Sequence, residues 1–224
     1  MERKFAVKVF ALSMGVLLAT ASITFAGYGK KAEQAAATGE QAPVAAVAGD
    51  QAAADAAKQE MMEKFKEYST PNENHKVLDA FVGDWAYTSK NWMSPTAPAE
   101  ESSGTATAKW VMDGRFVEES AQGMHMGQPF NGVSLTGYDN AGKEYQSIWY
   151  DNMGTGMMVT KGSYDAATKT ITQSGMFNCP LRGNMSVRWV TKMIDENTYS
   201  FEMWGPDETG KDFKGMEIIY KRKS

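Results

Sequence analysis

From residue 84 to the C-terminus, apolar and polar residues alternate in ten short runs, with no apolar stripe at helical spacing between them. The runs are 84–91, 104–112, 115–124, 132–138, 144–151, 156–164, 170–177, 185–194, 198–204 and 214–222. Turn chemistry separates them: Asp113-Gly114 reads as a two-residue hairpin turn, and Asp139-Asn140-Ala141-Gly142, Asp195-Glu196-Asn197 and Asp207-Glu208-Thr209-Gly210 as slightly longer polar loops. Parallel strands need a crossover of a dozen or more residues, usually a helix, and none is present. Each strand therefore pairs with its sequence neighbour. The predicted fold class is all-β, an antiparallel meander of roughly ten strands whose exposed edges disappear if it closes into a barrel.

Alternation also sorts the faces. Met185, Val187, Trp189 and Met193 share one side of their strand, as do Tyr199, Phe201 and Met203, and Met216, Ile218 and Tyr220, while Arg188, Lys192 and Glu217 take the other. A closed barrel of this size leaves room inside for one small molecule, whereas two packed sheets would fill that space with the same side chains. The alternation is compatible with either.

Ahead of the strands the pattern changes three times. Arg3, Lys4 and Lys8, an apolar run over 9–23 and Thr24-Phe25-Ala26 read as a signal peptide over 1–26, cleaved before Gly27, because the run is shorter than the roughly 20 residues that span a bilayer. The expected location is secreted or periplasmic, with no integral membrane segment after cleavage. Residues 27–57, rich in Ala and Gln and almost without aromatics, read as a disordered tether. Residues 58–70 read as an amphipathic helix with Met61, Phe65 and Tyr68 on one face, which either packs on the following domain or binds a protein partner. The barrel domain spans 71–224 and opens on a short helix with Thr70 as N-cap, Pro71 at its first position and Glu73 completing a capping box.

Composition removes several functions. Without residues 1–26, which carry Arg3, Lys4, Lys8 and Glu2, the formal charge falls from −4 to −6, and no basic patch stands out, so nucleic acid is not an expected partner. Cys179 is the one cysteine and cannot form a disulfide within the chain.

Phe81-Val82-Gly83-Asp84-Trp85, a short helix running into Gly-x-Trp, resembles the opening of lipocalin and related calycin barrels. That resemblance implies that Trp85 closes one barrel end beneath a basic residue of the last strand, for which Arg222 and Lys221 are the candidates. A second resemblance covers nearly the whole domain. It is carried by His75-Lys76-x-Leu78, Gly114-Arg115-Phe116-Val117, Gly127-x-Pro129-Phe130-x-Gly132, Thr136-Gly137-Tyr138-Asp139, Trp149-x-Asp151-Asn152-Met153-Gly154-Thr155-Gly156 and Met216-Glu217-Ile218-x-Tyr220. Together these resemble the bacterial domain of unknown function 1579 family. The resemblance implies one exported β-rich domain and no particular reaction.

No catalytic residue is assigned, since there is no nucleophile elbow and neither His75 nor His125 has a base-and-orienter context. A cavity carboxylate, Glu119 or Asp151, acting as a general base is the weakest reading. Met124-His125-Met126 offers the thioether and imidazole ligands that suit Cu(I), but its methionines share one strand face and His125 takes the other, so packing accounts for them and no metal or cofactor is assigned. Around Gly154, Asp151 and Asn152 read as turn residues, while Trp149 pairs with Tyr145 on one face. Arg115 and Glu119 also share a face, and an exposed pair is the commoner arrangement for such charges. The expected partner is a small apolar ligand inside the barrel, lined by Trp110, Trp149, Trp189, Met203 and Tyr220, with Arg115 as polar anchor. A cell-envelope interaction module using residues 27–70 is the alternative.

Overall fold

The computed structural model describes residues 44–180 and 182–224; the predicted signal peptide, 1–26, and the first part of the predicted tether, 27–43, lie outside the described residues. Helix α1 (Val44–Ser69) is followed by α2 (Glu73–Lys76) and a 3-10 turn (Val77–Phe81). Ten strands then follow: β1 (Gly83–Asn91), β2 (Glu100–Val111), β3 (Phe116–His125), β4 (Gln128–Asp139), β5 (Glu144–Asp151), β6 (Met158–Asp165), β7 (Thr170–Cys179), β8 (Gly183–Asp195), β9 (Thr198–Pro206) and β10 (Asp212–Arg222). Each pairs antiparallel with its sequence neighbours, and β10 pairs back onto β1 with Trp85 opposite Arg222 and Tyr87 opposite Tyr220. The sheet is a closed ten-stranded barrel. Closure settles the choice left open between barrel and sandwich, because every strand finds two partners and no edge remains. Among the described residues, no helix is long and apolar enough to cross a membrane.

Several boundaries differ from the sequence reading, each for a local reason. Compactness divides the chain into residues 1–58 and 59–224. Helix α1 nevertheless begins at Val44, inside the stretch read as tether, because alanine-rich sequence has the highest intrinsic helix propensity even where it has nothing to bury. Thr70 does not cap the next helix. Its hydroxyl donates to the Lys66 carbonyl at 2.6 Å and so closes α1. Asn72 takes the cap of α2 instead, accepting from the Asn74 amide at 2.9 Å while its own N–H donates to His75 Nδ1 at 3.1 Å. Burial, aided by the nearby Arg115 charge, lowers the His75 pKa and keeps that nitrogen an acceptor. The Asp113-Gly114 turn is wider than two residues: Met112, Asp113 and Gly114 all adopt positive φ, and β3 begins only at Phe116.

One barrel end is plugged. Leu78 and Phe81 are buried under the 3-10 turn, the Trp85 indole donates to the Phe81 carbonyl at 2.8 Å, and Tyr199 meets Phe81 and Trp85 edge-on. Of the two basic candidates, Arg222 covers Trp85, its guanidinium 4.1 Å from the ring centroid and donating to the carbonyls of Val82, Ala80 and Glu196 at 2.7, 3.2 and 3.3 Å. Lys221 is exposed. An Arg222→Ala variant should lose about 2–3 kcal/mol of stability in urea denaturation, since it removes charge-assisted bonds and a cation–π contact together.

Candidate functional site

The side chains that alternate inward do not fill the barrel. A cavity of about 290 Å³ runs from Leu78 and Phe81 at the plugged end to His125, Phe130, Asp151 and Met158 at the opposite rim. Its wall is mostly apolar and aromatic, because the inward positions of β7 to β10 carry Ile171, Trp189, Phe201, Met203, Ile218 and Tyr220. Cα register keeps these together, with Trp189 opposite Met203 and Met203 opposite Met216.

Trp149 lies back against the wall rather than across the space. Gly132 allows this: a Cβ there would sit 2.3 Å from the indole, which stacks on Phe130 and donates from Nε1 to Asp151 at 2.8 Å. Asp151 also accepts from the Met153 amide at 2.9 Å, and Asn152 clasps β4 by accepting from the Asn131 amide and donating to the Pro129 carbonyl. One segment thus shapes both the turn and the cavity wall. Met124 and Met126 are exposed at this rim, and His125 lines the mouth.

Polar groups enter the interior at several points, among them the Ser89 and Ser102 hydroxyls, 2.7 Å apart, and two further clusters. On one side, Thr136 and Ser147 are 2.8 Å apart and Ser147 donates to Gln173 Oε1 at 3.0 Å. On the other, Glu119 accepts from Tyr199 at 2.9 Å and from Tyr220 at 3.5 Å, the two phenol rings stacked 4.2 Å apart. Glu119 keeps some accessible surface because it fronts the cavity, yet the surrounding barrel desolvates its carboxyl and raises its pKa against the lowering effect of the two phenols. Desolvation and the adjoining carboxylate likewise push the Tyr199 and Tyr220 phenols well up, so both remain donors. Burial and the neighbouring Tyr138 and Tyr164 push Tyr145 up to about 12, and it donates to the Asn74 carbonyl.

A carboxyl that binds its proton more tightly folded than unfolded stabilises the fold increasingly as pH falls towards its ordinary value, and that contribution is lost as pH rises through the raised one. Glu119→Gln should remove this dependence. The variant should melt about 2–4 °C above the parent at pH 8, with the gap closing by pH 5, in thermal scans across that range.

Four of the six residues expected to line a ligand, Trp149, Trp189, Met203 and Tyr220, face the cavity. Trp110 does not: it sits at the plugged end, where its indole donates to Asp79 at 2.8 Å. Nor does Arg115, which lies in the turn before β3 and is spent on backbone carbonyls, donating to that of Ser69 at the end of α1 at 2.8 Å and to that of Met112 in its own turn at 3.2 Å. A cation at that helix end also complements the dipole. The exposed Arg115–Glu119 pair is therefore overturned, because strand alternation begins only after Arg115. Glu119 shares its parity with buried Val117 and Ala121, a signal that places it inward from sequence alone. Gln173, next but one to Ile171, carried the same signal. The predicted helix face of Met61, Phe65 and Tyr68 is exposed, so packing on the domain is not its fate.

Residues 70–222 match the family described as "Protein of unknown function (DUF1579)". The chain belongs to that family. No curated protein sequence is similar to this DUF1579 chain. Among solved structures, Rv2717c from M. tuberculosis is similar with a TM-score of 0.51 and 12% identity, over 69% of this chain and 100% of that one, which speaks to the barrel alone. A redesigned β barrel is similar at 15% identity over 66% of this chain and 96% of that one, but its TM-score of 0.34 is too loose to bear on the fold.

Proposed function

We propose that this DUF1579 protein is exported and carries a small, largely apolar molecule inside its barrel. The observation that carries the reading is the cavity of about 290 Å³, close to the lower end of the range of roughly 300–1,000 Å³ usual for small-molecule sites, with an aromatic and aliphatic wall and a few placed polar groups. The basic, apolar and small-residue opening over 1–26 supports export. Native mass spectrometry of the mature protein, purified without detergent from its exported compartment, tests both parts. A mature mass beginning near Gly27 with a reproducible adduct lost on denaturation is the expected result. Recovery only from the cytoplasm removes the export part, and a barrel that holds neither an adduct nor any apolar probe removes the carrier.

The alternative, an interaction module, draws on one observation: Met61 and Phe65 are 61% and 64% exposed on α1. Apolar side chains grouped on a helix suit a protein partner. Phe65→Lys should then release the protein from envelope fractions while leaving probe binding unchanged.

A further inference from the structure

Three buried side-chain polar atoms of the described barrel residues lack a hydrogen-bond partner, Thr160 Oγ1, Gln173 Nε2 and Trp189 Nε1, and the last two belong to residues that line the cavity. Gln173 and Trp189 are only 4% and 6% exposed. Both line the cavity, and they are direct partners in the pairing of β7 with β8, which brings their Cβ atoms to about 5 Å. Gln173 Oε1 is already engaged by Ser147, so the amide is oriented with its donors left over. A buried donor without an acceptor carries the full cost of its lost hydration. One carbonyl oxygen has two lone pairs and can meet both N–H groups at once.

Charge narrows the choice of acceptor. No lysine or arginine lines the cavity among the described residues, while Glu119 and Asp151 do. A carboxylate entering this space would be desolvated beside those acidic side chains with no cation to meet it, which makes it the wrong kind of acceptor. We infer that the molecule held in the barrel is an uncharged carbonyl compound, such as a ketone, ester or amide on an apolar skeleton, whose oxygen bridges Gln173 and Trp189. This inference rests on the carrier reading and sharpens it.

Three probes of matched shape separate the two. Equilibrium dialysis of the full-length protein against 1-acetonaphthone, 1-ethylnaphthalene and 1-naphthoate compares a carbonyl, its hydrocarbon counterpart and a carboxylate on one ring system. The ketone should bind at least about tenfold tighter than the hydrocarbon, as expected for two net hydrogen bonds, and the carboxylate should bind weakest. Trp189→Phe and Gln173→Met, which keep much of the apolar bulk but remove one donor each, should each reduce the ketone's advantage about threefold or more. The ratio of ketone to hydrocarbon affinity within each variant is the readout, since it cancels the change in wall packing that both probes meet, and circular dichroism of each variant reports that the barrel is intact. Equal affinity for ketone and hydrocarbon, an advantage that survives both substitutions, or tighter binding of 1-naphthoate overturns the carbonyl assignment and leaves the carrier reading standing. Failure of all three probes to bind overturns the carrier reading, and the carbonyl assignment falls with it.

Discussion

Gly162→Ala should cost the barrel about 4 kcal/mol or more, enough that little folded protein survives moderate urea. Gly162 is an inward position on β6, opposite Tyr145 on β5 and Gln173 on β7. A Cβ there would lie 1.8 Å from the Thr172 carbonyl oxygen and 2.7 Å from the Gln173 Cα. Those atoms belong to the backbone of the adjoining strand and cannot rotate away as a flexible side chain would. Relief requires β6 and β7 to separate, which breaks the ladder that closes the barrel. Circular dichroism across a urea titration measures the loss. A midpoint within error of the parent would show that the two strands can move apart freely at this point.

Ser134→Phe should abolish most interior binding while leaving the fold in place. Ser134 lines the cavity on β4, opposite Glu119 on one side and Trp149 on the other. A phenyl ring projecting from it would occupy a large share of the 290 Å³ available. Displacing one apolar probe's worth of contact is worth about 2–3 kcal/mol, so affinity for 1-ethylnaphthalene should fall between about 30-fold and about 150-fold. The melting temperature should move by no more than about 2–4 °C, because the ring enters existing space and does not need to displace packed atoms. Unchanged affinity with a folded variant would place the probe outside the barrel. That outcome would count directly against the carrier reading.

Much of the architecture was legible before any coordinates. Tyr199, Phe201 and Met203 declared one face of β9 because a strand turns successive side chains to opposite sides, and short polar connections left each strand only its neighbours to pair with. Trp85 beneath a basic residue of the last strand was legible only through resemblance, and the choice of Arg222 over Lys221 needed the register of β1 against β10. The start of β2 was hidden for a different reason. Its inward positions Ser102, Gly104 and Ala106 are small or polar, so the alternation that reveals a strand is almost silent there.

The candidate site was less legible. Trp110 and Arg115 looked like lining and anchor because residue type is all that a sequence exposes about a side chain near a turn. Their true partners, Asp79 and the Ser69 carbonyl, lie 31 and 46 residues away in the chain. In sequence Gln173 shows its inward parity and nothing more, because a lone glutamine in a strand is ordinary. Its significance arises only when Ser147 engages one end of the amide and Trp189 comes to rest opposite with its own N–H unpartnered.

Local periodicity and turn chemistry were sufficient for the strands, their order and the apolar faces of β8 to β10, because both act within a few residues of chain. Whether the ten strands closed on themselves, how much space remained inside, and which donors faced it without a partner depended on contacts between residues far apart in sequence. Those contacts exist only after β10 has met β1, which is why the cavity and the Gln173–Trp189 pair belong to the tertiary structure alone.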